Sequence, residues 1–253
     1  MDFLSVRQAA GALAVDESRV RQLLQEGKLQ GVRVDGRWLV GAGSVQDRKR
    51  LPRSGRPLSP RNAWGALAIL SGCRPSDLSA PERSRLLTRL RNLAAHGGAL
   101  PTDDLQRLLS SRAESRRYRV HRGVLPALLE HPDVVRAGVS AAPRIGADYV
   151  APGQAEVYVH PERLGTLEAE FGMMPDAEQG NLVVRVPPVS AWPFLQSGSG
   201  EHESQAGERG KDAPSSVVAA DLLDAHEDRA SVAAVGIIEP LLARPERIGS
   251  RAA

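Results

Sequence analysis

Eight side chains between residues 18 and 37 have chemistry to offer: Ser18, Arg19, Arg21, Gln22, Gln25, Lys28, Arg33 and Arg37, joined downstream by Arg53 and Arg56. A guanidinium presents two parallel N–H groups to a phosphate or to the O6/N7 edge of guanine, and a carboxamide pairs similarly with adenine. This set therefore suits reading double-stranded DNA. Short elements can present it. Ser5 can cap a helix carrying Val6, Ala9, Ala10 and Leu13, Ala14 to Asp16 form the joint, and Asp16 can cap a second helix that closes at Gly27. On a 3.6-residue period Val20, Leu23, Leu24 and Gly27 share one face of the second helix. Ser18, Arg21, Gln22 and Gln25 share the opposite face, which holds no carboxylate although Glu17 and Glu26 flank it. Gln30 to Val40 then alternates Val32 and Val34 with Arg33 and Asp35, predicting one apolar and one polar strand face, and turns at Asp35-Gly36 as a type I′ hairpin does. Arg33 and Arg37 are expected to meet phosphates from that hairpin.

The run Ser5-Val6, Ala9-Ala10, Leu13, Val15, Val20-Arg21, Leu23, Gly27, Leu29 and Gly36-Arg37 resembles the helix-turn-helix of the MerR and excisionase families. The resemblance extends to a third short helix near Val45. It implies a winged helix-turn-helix over residues 1–48 whose second helix enters the major groove while the wing touches the flanking backbone.

Charge is divided along the chain. Residues 1 to 125 hold 23 Lys and Arg against 11 Asp and Glu, whereas 126 to 253 hold 10 against 19, so the net +3 conceals an N-terminal half suited to a polyanion. Arginine enrichment is also what a GC-rich genome produces without selection for binding. With 42% apolar residues the chain can build ordinary cores over two or three small domains. Its single cysteine excludes an internal disulfide and a thiolate zinc cluster, and the six histidines show no paired ligand spacing, so neither metal nor cofactor is expected. The opening MDFLSVRQ lacks the basic and apolar regions of a signal peptide, and no run approaches the apolar length of a membrane span; a cytoplasmic protein without membrane contact is expected.

Residues 46 to 61 carry six positive charges and one negative among Pro, Ser and Gly, and 49–60 reads as an extended basic linker. Within it Gly55-Arg56-Pro57, with Arg53 upstream, resembles an AT-hook core, but the first arginine stands one position too far away; a plain basic arm would still attract phosphates. Residues 61–114 read as a compact unit of three helices, opened by Ser59-Pro60, by the capping box Ser79 to Glu82 and by Thr102. Trp64 falls on the apolar face, and Arg83, Arg85, Arg89 and Arg91 on a solvated one. Residues 115–243 read as a small mixed α+β domain with strands at 117–120, 156–159 and 182–186, a mobile loop at 196–213 and two closing helices, followed by a tail at 244–253. The fold class is thus α+β.

Several segments between 56 and 243 resemble AbiEi-type antitoxins: Arg56-Pro57-Leu58-Ser59-Pro60, Ala63-Trp64, Leu70-Ser71-Gly72, Val134 to Gly138, Glu156 to Val159, Asn181 to Val186, Asp221-Leu222-Leu223 and Asp228-Arg229. The resemblance implies a repressor of its own operon that neutralises a toxin of nucleotidyltransferase fold. The N-terminal module departs from that family in looking excisionase-like. Two other functions fit the residues: a one-component regulator that binds a small effector, and an excisionase-like architectural DNA protein. The chain could form a homo-oligomer under any of these readings. No enzyme is expected. Asp103 with Asp104 and Glu227 with Asp228 suit helix N-termini, Asp221 and Asp224 suit the outer face of an amphipathic helix, and Cys73 has no histidine placed beside it by any motif.

Overall fold

Ser5 and Gln8 close a reciprocal cap at the start of the first helix: the Gln8 N–H donates to Ser5 Oγ at 3.2 Å and the Ser5 N–H to Gln8 Oε1 at 2.9 Å. The computed structural model describes residues 3–13, 15–25, 27, 29–34, 36–45, 56–75, 77–94, 100, 102–176, 178–198 and 212–243, in two compact units, Met1–Arg53 and Ser54–Ala253. The first unit runs β1 (Phe3–Ser5), α1 (Val6–Leu13), α2 (Glu17–Gln25), β2 (Gly31–Val34) and β3 (Arg37–Gly41), and the three strands pair antiparallel in the order β1-β3-β2. Asp16 caps α2 by accepting the Arg19 N–H at 2.8 Å, and Gly27 ends it with φ at +68°, as the sequence leads one to expect. Ala9, Ala10, Leu13, Val20, Leu23, Leu24, Leu29, Val40 and Val45 form the core. Residues 42–45 are helical and bury Val45, where the third short helix is predicted.

The second unit contains α3 (Pro60–Leu70), α4 (Ala80–Ala94), α5 (Thr102–Leu109), β4 (Glu114–Arg119), α6 (Leu125–Leu129), β5 (Val134–Arg136), α7 (Gly138–Ala141) and β6 (Ala155–Val159). It continues through α8 (Leu164–Glu170), β7 (Met174–Pro175), β8 (Leu182–Val186), α9 (Trp192–Gln196), α10 (Ser215–Leu223) and α11 (Asp228–Leu242). The five strands are ordered β5-β6-β8-β4-β7, with β6 and β8 parallel and the other pairs antiparallel. The chain is therefore mixed α+β. One sheet face packs Tyr118, Val157, Leu182 and Val184 against Leu125, Leu128, Leu164 and Leu167. The other meets the helices in a larger core that joins Trp64, Leu67, Leu90 and Leu105 to Tyr158, Val217 and Ile238. Among the described residues no helix is long and apolar enough to cross a membrane.

Three boundaries differ from the sequence reading. The helices of 61–114 are no separate unit: α3 is buried on every side from Ala63 to Leu70, and a helix with no polar face needs the sheet side and α10 as well as its two sequence neighbours to cover it. The predicted linker is too long at its C-terminal end, since Leu58 is buried and its N–H donates to Leu108 O at 3.0 Å. The predicted loop 196–213 is also too long. Gln196 ends α9, while Ala213 is buried and Asp212 pairs with Arg136 at 2.6 Å. The intervening 199–211, together with 46–55 and the tail 244–253, lies outside the described residues.

Candidate nucleic-acid interface

Val20, Leu23 and Leu24 hold α2 in the core of the first unit, and this fixes what the rest of the helix presents. Ser18, Arg19, Arg21, Gln22 and Gln25 are all exposed, so the predicted polar face is outward. Its side chains are tied to one another. Arg21 Nη2 lies 2.8 Å from Glu17 Oε2 one turn earlier, and Arg19 Nη1 donates to Gln22 Oε1 at 2.6 Å. Ser18 Oγ donates to the capping Asp16 carboxylate, which holds that carboxyl below its ordinary range, with the Arg19 N–H bond the next cause.

In the hairpin the apolar members of the alternation point outward: Val32 and Val34 are 47% and 48% exposed. The reason is strand parity set by the third strand: Leu4 and Gly31 both oppose Val40, and a Cβ on Gly31 would lie 2.7 Å from Leu24 Cδ2, so this row faces α2. Val32 and Val34, one residue out of phase, must face away. The same parity separates the two hairpin arginines. Arg33 opposes half-buried Trp38 on the helix side, its Nε bonded to Gly36 O at 3.3 Å, whereas Arg37 opposes Val34 on the outer side. They can therefore meet different phosphates. Arg33→Ala and Arg37→Ala are each expected to lower affinity for all duplexes alike and to reduce the slope of log affinity against log salt by about one. Titrations at several salt concentrations check this; a loss confined to duplexes altered at one base pair would make that arginine a base reader instead.

Arg56 is exposed but belongs to the second unit, where its carbonyl accepts from Arg89 Nη2 at 3.2 Å. Lys28 and Arg53 lie outside the described residues. The structure thus brings five of the predicted residues together on one helix and two on one hairpin.

The second unit holds a polar cluster that the sequence reading misses. Arg112, 1% exposed, directs Nη2 at Asp221 Oδ1 (2.6 Å) and Asp224 Oδ2 (2.5 Å), and its Nε donates to Tyr158 Oη at 3.2 Å. Tyr158 in turn donates to Asp221 Oδ1 at 2.8 Å. Arg185 closes the ring, 3.1 Å from Asp221 Oδ1, 3.0 Å from Asp224 Oδ2 and 3.7 Å from Glu156 Oε1. Asp221 and Asp224 were expected on a solvated helix face; instead Asp221 is fully buried because α10 is covered all round, and guanidiniums replace its water. The apolar run of α10, which has no hydrophilic stripe, is the sequence signal for such burial. Trp64 is core as expected, its Nε1 donating to Arg112 O at 2.7 Å.

Two guanidiniums face three carboxyls here, and burial pushes Glu156 up to about 7, Arg185 opposing and Asp221 assisting the shift. The folded state then keeps a proton between about pH 4.5 and 7 that the unfolded chain releases, so this contribution is complete below about 4.5 and is lost as pH rises through 7. Glu156→Gln, which cannot ionise, is expected to flatten that dependence and to be more stable than the wild type at pH 8 by roughly 3 kcal/mol. Melting temperatures from pH 4 to 8 check it; parallel profiles for the two proteins would contradict it. Among the described residues no group of three or more His, Cys, Asp or Glu side chains is placed to hold a metal ion.

No protein-family model, curated protein or solved structure matches this chain.

Proposed function

We propose that this protein is a sequence-specific DNA-binding regulator that uses its first unit as a winged helix-turn-helix. The observation that carries the reading is the α2 surface. An amphipathic helix anchored by Val20, Leu23 and Leu24 turns two guanidiniums and two carboxamides outward beside an arginine-bearing hairpin. The N-terminal excess of positive charge supports it, since phosphate neutralisation supplies most of the affinity of such modules. Selection from a randomised duplex library with the full chain, followed by footprinting, tests it: enrichment of one motif is expected, and recovery of no motif overturns it.

The second unit supports a further role as an antitoxin. It has its own core and an acidic C-terminal half with little reason to approach DNA, so neutralisation of a nucleotidyltransferase-type toxin would be separable from repression. Co-expression of residues 54–253 with the product of the adjacent reading frame tests this. Rescued growth with loss of promoter repression is expected; failure of both the fragment and the full chain to rescue would leave a one-component regulator as the better account.

A further inference from the structure

We propose that Glu17 determines how sharply the α2 surface discriminates between sequences, by positioning Arg21 and without touching a base itself. The inference rests on the DNA-reading role of α2. Glu17 is the first residue of that helix and Arg21 lies one turn along the same face, with Oε2 and Nη2 2.8 Å apart and the two side chains 44% and 51% exposed. A pair this exposed adds little to folding. Its consequence lies in what it does to the guanidinium. The bond engages Nη2, so the planar group loses its freedom to swing about the helix, and Nε and Nη1 remain to address a base edge in a set orientation. Part of that ordering is thereby in place before DNA arrives, which favours the one base whose acceptors match the fork.

The carboxylate acts in a second way. Glu17 is the one anion of the described α2 residues, and at the mouth of a groove lined with phosphates it opposes binding to every duplex equally. Only a site that engages Arg21 fully offsets that repulsion. Removing the charge should therefore move affinity and specificity in opposite directions, an outcome that loss of helix stability does not produce. Arg19 and Gln22, bonded at 2.6 Å, form a neutral-acceptor counterpart on the same face that carries no such penalty.

The test uses the full chain, the duplex enriched by selection and a scrambled duplex of equal length, titrated with the wild type, Glu17→Gln and Glu17→Asp. Glu17→Gln is expected to bind the scrambled duplex several-fold more tightly and to lose roughly tenfold in the ratio of the two affinities. Glu17→Asp keeps the charge but is too short to hold Arg21, so it should retain weak binding to the scrambled duplex while its ratio falls. An unchanged ratio in Glu17→Gln, or an equal loss on both duplexes accompanied by a lower melting temperature, overturns the role. If the wild type enriches no duplex, the DNA-reading surface itself is refuted and this role falls with it; a wild type that enriches a motif with an unchanged variant ratio refutes Glu17 alone.

Discussion

Arg112→Met is expected to destabilise the second unit by about 3–5 kcal/mol, a large part of what holds a domain folded. Methionine fills much of the same volume, so the loss is electrostatic. Without Arg112, the carboxyls of Asp221, Asp224 and Glu156 face the single guanidinium of Arg185, and Tyr158 Oη loses its donor, in a site where Asp221, Glu156 and Tyr158 are buried. At about 2–4 °C per kcal/mol for a unit of this size, the melting temperature should fall by roughly 6–20 °C. Adding Asp221→Asn to Arg112→Met removes one of the stranded charges and should recover part of the loss, because the penalty comes from the uncompensated anion more than from the missing pair. Thermal and urea unfolding followed by circular dichroism measure both variants. A shift under about 1 kcal/mol for Arg112→Met would show that the carboxyls find other compensation.

The second large effect is on DNA. Combining Arg21→Ala with Gln22→Ala removes a guanidinium and a carboxamide from the outward face of α2, each able to contribute about 1–3 kcal/mol of base discrimination. Affinity for the selected duplex should fall by roughly thirty-fold to ten-thousand-fold, and the footprint should vanish at concentrations that saturate the wild type. Affinity for scrambled duplexes should fall far less. Neither side chain enters the core built on Val20, Leu23 and Leu24, and alanine favours helix, so the variant should melt where the wild type does. An unchanged footprint would remove α2 from the interface and direct attention to the hairpin.

What the sequence determined by itself is mostly local. Ser5, Asp16, Ser59 and Ser79 mark helix ends because a cap is a bond between a side chain and a backbone group three residues away, and Gly27 because glycine takes a left-handed φ without strain; the observed bonds and the φ of Gly27 agree. The outward face of α2 was legible for the same reason, since a helical period depends only on neighbours in the chain. The strands 156–159 and 182–186 were visible as short apolar runs, and they lie where expected. Other features depended on partners remote in sequence. Which face of β2 is inward follows from β1, a three-residue strand whose register is set by β3 and cannot be read from Phe3-Leu4-Ser5 alone. Asp221 and Asp224 stand three apart, a spacing that fits a solvated face and a buried ion cluster equally well. Tertiary structure decided between them by bringing Arg112 from 109 residues away and Arg185 from 39 residues away. A buried carboxylate persists only where distant cations replace its water, and that condition belongs to the packed sheet and helices, not to α10.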